Sequence, residues 1–131
     1  MPIPDSYHDF SSEIAKAADI CLKPWKHSVV LNRDVSIEQI SDVNFSELIV
    51  RVECRDSNGE RHSDKDLEIE IFRSGAELNI TLAWHLFPLR PILWQGKHSL
   101  WMDAETGKKS VPPLEGESFE ALARRLRASF S

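Results

Sequence analysis

From residue 47 to residue 86 the chain alternates apolar and polar side chains with a period of two. Leu48, Val50, Val52 and Cys54 alternate with Ile49, Arg51, Glu53 and Arg55. Leu67, Ile69 and Ile71 alternate with Glu68, Glu70 and Phe72. Leu78, Ile80, Leu82, Trp84 and Leu86 alternate with Glu77, Asn79, Thr81, Ala83 and His85. A period of two marks a strand with one buried face. Asp56-Ser57-Asn58-Gly59-Glu60 is a turn signal, because Asn-Gly tolerates positive φ. The polar run from Arg61 to Asp66 lengthens that connection, and Ser74-Gly75-Ala76 predicts a tight reversal. Three strands joined this way form an antiparallel meander with one wet face.

Helical spacing brackets the meander. In residues 5–22, Tyr7, Phe10, Ile14, Ala17, Ala18 and Cys21 fall on one stripe at intervals of three and four. Asp5 or Ser6 is placed to cap the start, and Pro24 ends the helix. Trp25 then sits at a corner and is expected against the last helical turn. Residues 118–129 repeat the pattern with Phe119, Leu122, Ala123, Leu126 and Phe130. Glu115 and Glu117 at the start and Arg124, Arg125 and Arg127 at the end suit the helix dipole.

Between the first helix and the meander, Ser28–Leu31 reads as a strand. Val35–Ile40 reads as a second strand, or as a helical turn with Ser36 and Gln39 as a capping box. Residues 98–103 read as a fourth meander strand, Asp103–Lys108 as a turn and Val111–Leu114 as extended chain. The expected fold is α+β: one domain over residues 1–131, with about four to six antiparallel strands. The meander of 47–103 would pack on the N- and C-terminal helices. Ile49 and Phe72 interrupt the polar face, and the segment 26–46 is expected to cover them. At 41% hydrophobic and 28% charged residues, 131 residues can build such a core without metal or disulfides.

Charge and targeting signals limit the function classes. The net charge of −5 argues against a mainly electrostatic grip on nucleic acid or anionic lipid. Met1-Pro2-Ile3-Pro4-Asp5 has neither the basic nor the apolar part of a signal peptide, and no apolar run approaches a membrane span. A cytoplasmic location follows as the expectation, with Cys21 and Cys54 reduced.

Catalytic patterns are weak. His62, Asp64, His85, His98, Asp103 and Glu105 are the metal-ligating candidates, but they lack paired-ligand spacing, so no metal or other cofactor is expected. Cys21 and Cys54 lie on apolar stripes, which predicts buried thiols with raised pKa and poor nucleophilicity. Glu68, Glu70 and Glu53 share a face with Arg51 and Arg55, which favours a charge-paired surface over acid–base work. Neither a nucleophile elbow nor a glycine-rich phosphate loop occurs.

The segment left over is residues 84–101, with three of the four tryptophans, two of the five histidines and Pro88-Leu89-Arg90-Pro91. Trp84 is in phase with the apolar face of its strand. Trp94 is placed inside a loop by the sequence pattern, and Trp101 alternates with Leu100 and Met102. Arg and Trp are the residues that most often dominate interfaces. The expectation is a non-enzymatic binding or adaptor module that contacts a protein, or a second copy of itself, through Phe87, Arg90, Trp94 and Trp101. The alternative is a small-molecule carrier or enzyme, with a pocket between sheet and helices lined by Trp84, His85, His98 and Trp101. A lesser alternative is weak nucleic-acid binding through Lys108, Lys109, Arg124, Arg125 and Arg127, with Trp101 as a stacking surface.

Overall fold

The computed structural model describes residues 7–31, 47–74 and 77–130. The element order is α1 (Tyr7–Cys21), β1 (Lys26–Leu31), β2 (Glu47–Arg55), β3 (Leu67–Ser74), β4 (Glu77–Trp84), β5 (Ile92–Gln95), β6 (Ser99–Met102) and α2 (Gly116–Phe130). A short 3-10 turn, Ser63–Lys65, precedes β3. The strands form one six-stranded sheet in sequence order, with every neighbouring pair antiparallel. Among the described residues this is the expected α+β arrangement of a meander between two helices. The cap at Asp5 or Ser6, the 35–40 segment and residues 75–76 lie outside the described residues, as do the side chains of Tyr7 and Phe10.

Alternation decides what is buried. Residues opposite one another in antiparallel strands share a face. One core row runs Val50, Ile69, Leu82, Leu93, Trp101 and another runs Leu48, Ile71, Ile80, Gln95, Ser99. Against these rows pack Ile14, Ala17 and Ala18 of α1 and Phe119, Leu122, Ala123, Leu126 and Phe130 of α2. Each fully buried Leu, Ile or Phe contributes ~1.5–3 kcal/mol relative to exposure. Two arginines tie α2 to the sheet: Arg73 Nη2 donates to Phe130 O at 2.8 Å, and Arg127 Nε donates to Leu78 O at 3.2 Å. The first bond satisfies one of the carbonyls that a helix end leaves open.

The structure corrects the sequence reading in three places. Strand β4 ends at Trp84, not Leu86, because the His85 amide turns to donate to Asp66 O at 3.0 Å. An additional strand, β5, precedes the return at 99–102, so Trp94 belongs to a strand and not to a loop. Phe72 remains exposed; of the 26–46 segment expected to cover it, residues 26–31 pair beside β2 as an edge strand that includes the expected Ser28–Leu31, and residues 32–46 lie outside the described residues. The 61–66 run lengthens the β2–β3 connection as expected, and its last residue turns inward. Asp66 is buried and both of its carboxylate oxygens accept from Arg61, at 2.8 and 2.7 Å.

Candidate functional site

The residues singled out in 84–101 separate into three environments. Trp101 is 4% exposed and stacks on Phe119 with ring centroids 6.3 Å apart. A core tryptophan cannot anchor a partner or stack on a base. Trp94 lies on the wet face, opposite Thr81 and Leu100. Its ring passes over Gly96: a Cβ there would come within 2.7 Å of Trp94 Cη2 and 3.0 Å of Asn79 Oδ1. Glycine is what allows the indole to lie flat against the turn.

The third environment is the loop from His85 to Pro91. Its apolar side chains project into solvent, with Leu86 50%, Phe87 40% and Leu89 70% exposed. Arg90 holds it. The guanidinium carbon sits 4.7 Å from the Phe87 ring centroid and 5.1 Å from that of Trp84. Arg90 Nη1 lies 3.6 Å from Glu115, just before α2. The Arg90 amide donates to Phe87 O at 3.1 Å, closing the turn. Leu114, beside Glu115 in sequence, is fully exposed. Thus Arg90 reaches from the loop to the entry of α2.

Behind the loop is a cavity of about 350 Å³. Trp25, Leu67, Trp84 and Phe119 form apolar walls, Cys21 and Cys54 contribute sulfur, and the charged or titratable lining groups are Lys23, Lys65, His27 and one carboxylate, Glu115. It is bounded by the end of α1, the starts of β1 and β3, the ends of β2 and β4, and the start of α2. Of the expected pocket residues only Trp84 lines it. His85 lies beyond the end of β4 with Nδ1 3.9 Å from Glu68, and His98 is exposed in the β5–β6 turn. The positions that the sequence reading missed are Trp25, Lys65 and Phe119. Trp25 had been expected on the last turn of α1. Its amide does donate to Leu22 O, but its ring meets His62 edge-on with centroids 4.8 Å apart, under the Lys65 ammonium at 5.0 Å.

The reactive groups near the cavity are restrained. His27 Nδ1 lies 2.9 Å from Asp19 Oδ1, and His27 is opposite Cys54 across β1 and β2. A carboxylate, an imidazole and a thiol are the parts of a nucleophilic triad. Burial, with Asp66 adding to it, pushes the Cys54 thiol up to about 11, the reverse of activation. Burial also raises Cys21, against the opposing charges of Arg125 and Arg124. At the β2–β3 turn, Asp56, Glu60 and His62 bring ligand-type atoms within 4.8 Å of one another. Asp56 already accepts from the Asn58 and Glu60 amides at 2.9 and 3.0 Å and lies 2.9 Å from His62 Nε2. The His62 bond leads in holding its carboxyl below the ordinary range. The cluster is therefore accounted for as a turn closure, with His62 paired to Asp56 and not to Asp64.

A family model described as a domain of unknown function, DUF8659, matches residues 11–129, and the chain belongs to that family. No curated protein and no solved structure matches it.

Proposed function

We propose that this member of the DUF8659 family is a non-enzymatic, cytoplasmic binding module that docks a protein partner, or a second copy of itself, through the loop 85–91. One observation carries the reading: Leu86, Phe87 and Leu89 are held out in solvent by a loop that Arg90 braces on Trp84, Phe87 and Glu115. Exposed apolar side chains favour burial in an interface. A braced loop loses little conformational entropy on binding. Leu114, next in sequence to the Glu115 that pairs with Arg90, is exposed as well. The anchors are then Phe87, Leu89 and Arg90, and Trp94 and Trp101 drop out of the contact. Two free thiols suit a reducing cytoplasm. Nucleic acid is a poorer occupant, because the chain is net acidic and Arg127 is bonded to Leu78 O.

The test is capture from native lysate with wild type and with a Phe87→Ser/Leu89→Ser variant whose thermal unfolding is unchanged. Light scattering on both proteins reads self-association. Loss of a captured protein, or of a dimer, from the variant alone supports the reading. Identical captures and identical masses remove it.

A further inference from the structure

We infer that the cavity between the end of α1, the β2–β3 connection and the start of α2 is a binding site for a small organic anion with an aromatic body. The inference is independent of the loop surface and concerns a different ligand class.

Size and lining come first. A volume of about 350 Å³ falls within the range of small-molecule sites, roughly 300–1,000 Å³. Trp25, Trp84 and Phe119 supply three aromatic rings, and Leu67 adds an aliphatic surface. Such walls accept a planar apolar body by stacking and edge contact. The rings are braced by neighbours: Trp84 by Phe119 at 4.9 Å and Arg90 at 5.1 Å, and Trp25 by His62 at 4.8 Å.

Charge selects the other half of the ligand. The chain is net acidic, with 21 Asp and Glu against 16 Lys and Arg, yet both lysines that line the cavity lack a carboxylate partner among the described residues. Three carboxylates around it, including Glu115 of its own lining, are otherwise engaged. Glu115 pairs with Arg90, Asp66 with Arg61, and Asp19 with His27. Asp64, whose field reaches Cys54, offsets one lysine, while the charges of Arg124 and Arg125 reach Cys21 on the far wall. A cleft with an excess of one sign between low-dielectric walls concentrates the opposite ion. Lys65 has its ammonium 5.0 Å from the Trp25 ring, so one ligand can stack on the indole while its anionic group meets the amine.

The experiment uses full-length protein whose native mass is that of the bare chain. It is titrated with 1-naphthalenesulfonate and, separately, with 1-naphthylmethylammonium, which has the same ring and the opposite charge. The four indole N–H signals, assigned from single Trp→Phe variants, report position, and calorimetry reports affinity. The expected result is saturable one-to-one binding of the sulfonate that moves the Trp25 and Trp84 signals, with affinity at least about tenfold above that of the ammonium. Lys65→Glu should remove that preference, while Lys97→Glu, in the β5–β6 turn, should leave it unchanged. Four results would overturn the inference: no saturation by about 1 mM, equal affinity for both probes, shifts confined to Trp94 and Trp101, or equal effects of the two lysine variants.

Discussion

Replacing Asp66 with alanine tests the contact that shapes the β2–β3 connection and, through Lys65 and Leu67, one wall of the cavity. Asp66 is 2% exposed. It accepts from Arg61 Nη1 and Nη2 at 2.8 and 2.7 Å, and from the Cys54 amide at 2.8 Å. A hydrogen bond to a charged group contributes about 1.5–3 kcal/mol. The Arg61 side chain is 32% exposed, so its two bonds are discounted to about 1 kcal/mol each. The orphaned Cys54 amide adds about 1–3 kcal/mol. The sum is about 3–5 kcal/mol, the range for breaking a buried pair. In a chain of this length it corresponds to a fall in Tm of about 10–20 °C.

Acid titration gives a second readout of the same pair. Burial opposes ionisation of Asp66 most strongly. The Arg61 guanidinium and the Cys54 amide outweigh it and hold the carboxyl below its ordinary value. The associated stability is complete above the unfolded pKa of about 3.9 and is lost as pH falls through the lower, folded value. Asp56 and Asp103 are also lowered, so the informative quantity is the difference between wild type and variant. Urea unfolding followed by tryptophan fluorescence between about pH 7 and pH 2 measures it, and Asp66→Ala should lose less stability on acidification. A cost under about 1 kcal/mol at neutral pH, or parallel acid profiles, would refute the assignment of Asp66 as the organiser of this connection.

Two further predictions concern single residues. Gly96→Ala should cost about 1–3 kcal/mol through overpacking, because its Cβ meets Trp94 Cη2 at 2.7 Å; a neutral result in urea unfolding would mean that Trp94 moves aside freely. Cys54, its thiol pushed up to about 11 mainly by burial, should react with an aromatic disulfide reagent at pH 8 far more slowly in the native than in the unfolded protein, with a rate that climbs as pH rises; equal rates would contradict its burial.

The elements that were legible have repeats within their own length. Strand β2 carries Leu48, Val50, Val52 and Cys54 on one side, and all four are buried. The stripe Phe119–Leu122–Ala123–Leu126–Phe130 of α2 is buried throughout. Strand β5 has four residues, too few to establish a period, and it follows Pro88 and Pro91 closely enough to read as loop. The run 61–66 is polar at nearly every position, and polarity alone cannot reveal that Asp66 finds a guanidinium and turns inward. Of the aromatic loop, Phe87 and Arg90 were legible as surface residues. Trp101 was legible only as alternating, and the side it faces depends on what lies across the sheet.

By itself the sequence determined the antiparallel meander, the two helices and the burial of Cys54, because local periodicity dictates which side chains a strand or helix can hide together; Cys21 is half-buried. Only the tertiary structure decided the wet-face position of Trp94, the Arg61–Asp66 pair and the aromatic, lysine-lined cavity. The cavity draws Trp25, Lys65, Trp84 and Phe119 from four separate segments. No interval along the chain encodes their meeting: chain reversals and helix docking bring them together, and burial and charge pairing become defined only then.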